Sequence, residues 1–168
     1  MVHGDQGTVR DNMHITSLIS PESVSCCQAT TSKKRALEQL SQLLSQSTPS
    51  ITAEEIFDCL VGRERLGSTG LGHGVAIPHG RLSGLQAPLA ACVTLDKGVD
   101  FDAIDRKPVD LMVALLVPEE ATDEHLQLLA QLAGMFSDND FTQKLRMART
   151  SQELYQLLQH WEVKHANA

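Results

Sequence analysis

Apolar positions change their period along the chain, and each period predicts a different kind of element. In "TSKKRALEQLSQLLSQ" (31–46), Ala36, Leu37, Leu40, Leu43 and Leu44 recur at helical spacing, with Thr31 or Ser32 placed to cap the start. Pro49 in "TPSI" breaks that pattern. Thr52-Ala-Glu-Glu55 then reads as a capping box, followed by Ile56, Phe57 and Leu60, so a second helix is expected to about Val61. In the middle of the chain the pattern shortens. "APLAACVTL" (87–95) and "PVDLMVALLVP" (108–118) are apolar runs bounded by prolines and predict strands, the second buried on both faces. "KGVDFDAIDRKP" between them predicts a turn-rich connection with one short strand.

The last third returns to the helical period. Thr122 is placed to cap "DEHLQLLAQLAGMF", in which Leu126, Leu129, Ala130, Ala133 and Phe136 form the expected stripe. "SDNDFTQKLRMAR" predicts a short helix, and Thr150-Ser-Gln-Glu153 is a further capping box before "LYQLLQHW". Helices therefore flank a central strand region on both sides in sequence, which predicts an α/β fold with a single sheet. Residues 1–12 are polar and aperiodic and read as a disordered tail. The globular domain is expected over 13–160, and 161–168 as a C-terminal tail.

Composition removes several function classes. Lys+Arg 14 against Asp+Glu 21 leaves a formal net charge of −7, which argues against general nucleic-acid binding, since that needs a basic face. The longest apolar run, Leu111 to Val117, is too short to span a bilayer, and the N-terminus lacks the apolar centre of a signal peptide. A cytoplasmic protein with no membrane insertion is expected. Cysteines at 26, 27, 59 and 92 include no C-x-x-C spacing and read as thiols in a reducing compartment.

The segment 67–84 is too glycine-rich and irregular for a helix and carries His73 and His79 in "GLGHGVAIPHG". No lysine and hydroxyl follow its glycines as a phosphate-binding loop requires, and Ile77 stands where the dinucleotide fingerprint needs glycine. The spacing of the two histidines matches neither a helical zinc motif nor a finger. A metal-dependent hydrolase would need His73, His79 and His125 together. Covalent chemistry is the other option, because a neutral imidazole nitrogen is a competent nucleophile toward phosphorus. Val75 to Ile77 would anchor the backbone as a short strand, Pro78 would restrict the turn, and Gly80 would let the chain leave without crowding the ring. His125 is expected in the first turn of its helix, bordering the buried stripe. Arg63 and Arg65 end the second helix, where a guanidinium serves either the helix C-terminus or the oxygens of a phosphoryl group.

Arg63-Glu64-Arg65-Leu66, "GSTGLGHGVAIPHG" (67–80) and "DEHLQLLAQLA" (123–133) together resemble the type-2 IIA domains of the bacterial phosphoenolpyruvate:sugar phosphotransferase system, the mannitol/fructose kind. "SKKRALEQLSQLL" and "GSTGLG" are most similar to the free-standing nitrogen-regulatory branch of that family. The resemblance implies a mixed sheet of about five strands flanked by helices. It implies His79 as the phosphorylated residue, His125 as its partner and Arg63 as the arginine that steadies the phosphoryl group, with Ser68 and Thr69 as nearby hydroxyls. The donor would be an HPr-like phosphocarrier of the NPr type, and the partners regulated would be proteins such as kinases or transporters. A sugar-transport role, passing the group to a IIB partner, would use the same histidine. No nucleotide, metal or other cofactor is implied.

Overall fold

The computed structural model describes residues 14–166, with side chains to 161; the tail expected over 1–12 lies outside the described residues. Two short 3-10 turns, Ile15–Leu18 and Pro21–Ser23, lead into β1 (Val24–Gln28), a strand the sequence pattern did not announce. Two helices follow, α1 (Lys33–Ser45) and α2 (Ala53–Glu64). Three short strands occupy the glycine-rich segment: β2 (Gly70–Gly72), β3 (Val75–Ala76) and β4 (His79–Leu82). The long pair β5 (Leu89–Val99) and β6 (Val109–Pro118) precedes α3 (Thr122–Phe136), α4 (Asn139–Met147) and α5 (Ser151–Ala166).

The strands form one mixed sheet in the order β1-β5-β6-β3-β2, with β4 also paired to β6. β3 and β4 lie end to end along the same side of β6: Val75 and Ala76 face Leu111 and Met112, and His79 to Leu82 face Leu115 to Pro118. They are one lane of the sheet, interrupted at Ile77-Pro78. Proline has no N–H to give the ladder, so an interruption there is the expected outcome. This reconciles six strands with the expected "about five".

β6 is the spine. Leu111, Val113, Leu115 and Val117 pack with Leu128, Leu132, Met135, Phe136, Leu145, Leu154 and Leu158 on the face covered by α3, α4 and α5. Met112, Ala114 and Leu116 pack on the other face with Leu37, Leu40, Leu44, Ile56 and Leu60 of α1 and α2. Successive side chains of a strand point to opposite faces, so a strand with both faces covered must be apolar throughout. The α1–α2 core is almost wholly aliphatic, whereas the other holds Phe136 and Phe141 with Trp161 against them.

Capping follows the sequence closely at four helices. Ser32 Oγ accepts from the Arg35 N–H at 3.1 Å, and Thr52 and Glu55 close a full capping box. Asp138 Oδ1 accepts from the Phe141 N–H, and Thr150 Oγ1 from the Glu153 N–H, each at 3.1 Å. α3 differs. Its N-cap is Ala121, and Thr122 is its first helical residue. Its buried face also differs from the expected stripe: Leu128, Leu132, Met135 and Phe136 are buried, whereas Leu126 is 66% exposed and Ala130 is exposed. A helix with leucine on several sides supports more than one apolar face, and tertiary packing chooses between them. α2 runs one turn beyond Val61, because Glu64 continues the buried face of Ile56 and Leu60. The short strand expected within 97–108 is the end of β5, whose Val99 pairs with Val109 past an irregularity after Thr94.

Candidate functional site

His79 begins β4, immediately after the break in its lane, and its position follows from that break. The Ile77 N–H donates to the Thr69 carbonyl at 3.0 Å, and the Pro78 carbonyl accepts from the Leu115 N–H at 2.9 Å. The backbone on either side of the histidine is therefore held. The Ile77 carbonyl, two residues back, meets His79 Nδ1 at 2.8 Å. A carbonyl only accepts, so Nδ1 carries the proton, and the lone pair belongs to Nε2.

His125 stands across from it at the start of α3. The ring centroids are 5.3 Å apart and meet edge-on at 69°. Nε2 of His125 is buried and has no hydrogen-bond partner among the described residues. A buried polar nitrogen without a partner costs stability, and such exceptions in folded proteins call for an explanation.

Both rings lie at a cleft of about 530 Å³ between the C-terminal end of α2, β4 and the start of α3. Arg63 and Arg81 bring the positive charge. Arg63 Nη1 donates to the Gly67 carbonyl at 2.9 Å, which holds the guanidinium beside the helix end. Arg81 lies two residues after His79 on β4, hence on the same face, and its Nη1 is 3.4 Å from the Glu119 carbonyl. The rim is apolar, with Leu66 83% exposed and Leu126 66% exposed. Burial lowers the pKa of His79 below its ordinary value, with the Arg63 charge adding to the effect and the Ile77 hydrogen bond opposing it. Burial also lowers that of His125, helped by the His79, Arg81 and Arg63 charges. Both imidazoles are thus biased toward the neutral form.

Gly80 also admits α2. A Cβ at Gly80 would stand 2.6 Å from Cys59 Sγ, so with cysteine at 59 it is glycine at 80 that lets the helix lie this close to β4. Cys59 is one turn before Arg63, and the close approach therefore sets how near Arg63 comes to the histidines. Behind Arg63, the buried Glu64 carboxylate accepts from the Thr69 N–H and Oγ1 and pairs with Lys33 Nζ at 2.9 Å. Thr69 in turn holds Ile77, so a bonded path runs from Glu64 to the His79 ring.

The structure brings together Arg63, His79 and His125. It does not bring in His73, which is exposed at the β2–β3 turn with φ 58°, its N–H on Asp105 and its carbonyl on Arg146. The three-histidine metal site is therefore not assembled, and among the described residues no group of three or more His, Cys, Asp or Glu side chains is placed to hold a metal. Ser68 and Thr69 are engaged elsewhere: Ser68 Oγ donates to the Phe101 carbonyl at 2.8 Å, and Thr69 Oγ1 to Glu64. The sequence reading missed Arg81, although its place two residues from His79 at the start of a strand was the available signal. It also missed Glu64, whose burial only the fold reveals. Among the described residues no helix is long and apolar enough to cross a membrane.

The chain is similar to several known proteins. A nitrogen regulatory protein of Pseudomonas aeruginosa is 54% identical over 127 residues, covering 76% of this chain and 82% of that protein. One from Bradyrhizobium diazoefficiens is 40% identical over 146 residues, covering 87% and 95%. The crystal structure of the nitrogen regulatory protein IIA-Ntr from Neisseria meningitidis superimposes with a TM-score of 0.80 at 41% identity, over 86% of this chain and 98% of that one. The family model for the phosphoenolpyruvate-dependent sugar phosphotransferase system, EIIA 2, matches residues 17–161, and the chain belongs to that family.

Proposed function

We propose that Nε2 of His79 accepts a phosphoryl group from an HPr-like phosphocarrier of the NPr type, and that the chain acts in the cytoplasm as a nitrogen-related regulator of the phosphotransferase system. Its phosphorylation state would set its binding to target proteins such as kinases or transporters. One observation carries the assignment: the 2.8 Å contact from His79 Nδ1 to the Ile77 carbonyl, which fixes the tautomer with the lone pair on Nε2. Neutral imidazole is the nucleophilic form, and burial of His79 favours it.

Transfer is a displacement at phosphorus between two imidazoles. The Nε2 lone pair forms the new N–P bond as the donor's N–P bond breaks, and the donor ring leaves neutral. There is little covalent work for other residues, so positioning and charge stabilisation dominate. Arg63 and Arg81 supply charge to the oxygens of the transferring group. His125, with its proton on Nε2, donates to one of those oxygens, which would give the buried, partnerless nitrogen its use. A phosphate on His79 adds about −1.5 to −2 charges to an apolar-rimmed cleft, enough to change which proteins dock there.

The test is incubation of the purified chain with the phosphorylated carrier, followed by intact-mass analysis. One phosphoryl group, labile to acid and stable to base, is expected on the native chain and none on His79→Ala. Normal uptake by His79→Ala would refute the assignment.

A further inference from the structure

Cys26 and Cys27 lie in β1, at the other end of β5 and β6 from His79. In a regular strand neighbouring side chains point to opposite faces. Here they do not. Ser25 pairs with Val93 and Gln28 with Leu95, so the two cysteines together face Thr94, a bulge of two residues against one. Cys27 adopts φ 61°, uncommon outside glycine, and its N–H donates to Thr94 Oγ1 at 2.9 Å. Both sulfurs turn to the same side as a result. They are 2.7 Å apart, and they approach the Ala148 carbonyl oxygen at 3.1 Å and 3.5 Å. Cys26 packs against the core and its N–H donates to Ser151 Oγ at 3.1 Å, whereas the strained Cys27 is exposed and its side chain serves no packing role.

We propose that Cys26 and Cys27 form an oxidisable dithiol, which a hydroperoxide converts to a vicinal disulfide and a small dithiol reductant converts back. Access is through a groove lined by Cys27, Asp96, Arg146, Met147 and Arg149. Burial and the contact with Cys27 push the Cys26 thiol up to about 11, which keeps it protonated and leaves the exposed Cys27 as the first to react. The Cys27 thiolate attacks one peroxide oxygen, the O–O bond breaks, and the departing alkoxide takes a proton to become an alcohol. Cys27 is then a sulfenic acid. The Cys26 sulfur attacks the Cys27 sulfur, and its proton leaves with the hydroxyl group as water. Two thiols and one hydroperoxide thus give one disulfide, one alcohol and one water.

Neighbouring α-carbons are about 3.8 Å apart, closer than the roughly 4.4–6.8 Å of ordinary disulfides. Such a bridge belongs with the labile, readily reduced kind and not with structural ones. The bulge prepares the thiols for it by placing the sulfurs together before any bond forms.

The full-length chain would be treated with one equivalent of hydrogen peroxide and mapped by peptide mass analysis. The expected result is a β1 peptide that has lost two hydrogens, restored by dithiothreitol. Cys26→Ser should stop at a Cys27 sulfenic acid that dimedone captures. Over-oxidation of Cys27 in the native chain, a bridge to the neighbouring buried Cys92, or a bridge between two chains would each overturn the proposal. His79→Ala should oxidise identically, so this result stands or falls separately from the phosphoryl-acceptor assignment.

Discussion

Replacing Gly80 by alanine tests whether the approach of α2 to β4 governs the site. The added Cβ would meet Cys59 Sγ at 2.6 Å, while ordinary contact begins near 3.4 Å, so either the sulfur moves or the helix retreats by 3.4 − 2.6 = 0.8 Å. Rotating the sulfur gives up its 3.4 Å contact with the Arg81 carbonyl. Overpacking of this kind costs about 1–3 kcal/mol. The backbone of Cys59 is not the obstacle: its carbonyl oxygen would lie 3.6 Å from the new Cβ. Cys59→Ala should therefore relieve the clash entirely. Gly80→Ala is expected to lower stability by about 1–3 kcal/mol, and the double variant Gly80→Ala with Cys59→Ala to recover most of that loss. A retreat of α2 also carries Arg63 away from His79. A misplacement of about 1 Å costs on the order of 100-fold in a positioned reaction, so phosphoryl uptake should fall by up to that factor and return in the double variant. Urea unfolding and single-turnover uptake from the phosphorylated carrier measure the two effects. Additive losses in the double variant, or a Gly80→Ala chain with native stability and rate, would refute the argument.

Three further expectations concern the residues around that contact. His125→Ala should keep the fold within about 1 kcal/mol, because it removes an unpartnered nitrogen, while slowing uptake by roughly 10- to 100-fold; a variant that fails to fold would give His125 a structural role instead. The lowered pKa values of His79 and His125 mean that the unfolded chain binds more protons below the ordinary value of 6.5. Their contribution to stability is complete above that pH and is lost as pH falls through the folded values, which NMR titration of the two rings should place below 6.5. Glu64→Ala should cost about 1–3 kcal/mol by leaving the buried Thr69 donors unsatisfied, while Lys33 keeps the Phe101 carbonyl and Asp102, and Glu64→Gln markedly less; a loss under about 0.5 kcal/mol for alanine would show that the buried carboxylate is not what holds Thr69.

What the sequence disclosed, and what it hid, follows from the range of each interaction. Helix caps are local, and Ser32, Thr52, Asp138 and Thr150 act within three residues of themselves. β6 was legible because burial on both faces leaves an unbroken apolar run. β1 was not: "VSCCQ" has no alternation, and the bulge at Cys26-Cys27 removes the period a strand would otherwise show. The buried face of α3 was misjudged for a related reason. Leucine at 126, 128, 129 and 132 fits more than one face, and the choice depends on contact with β6 and α5.

The histidine site divides the same way, and the division explains why a motif there carries so much information. Pro78 acts locally by interrupting its strand, yet the result is non-local: the freed Ile77 carbonyl turns to His79 Nδ1 while Pro78's own carbonyl keeps the lane in register with Leu115. Gly80 then matters for a helix that precedes it in the chain, through Cys59, and Arg81 shares the His79 face because the strand resumes at once. Four consecutive residues thus each answer to a different partner: Pro78 to β6, His79 to its own backbone, Gly80 to α2 and Arg81 to the cleft. No substitution at any of them is free of consequence for the ring. A short segment under four independent constraints tolerates few alternatives, and that is the physical basis on which "IPHGR" points to a chemical site while His73, held in its turn by backbone contacts to Asp105 and Arg146, does not.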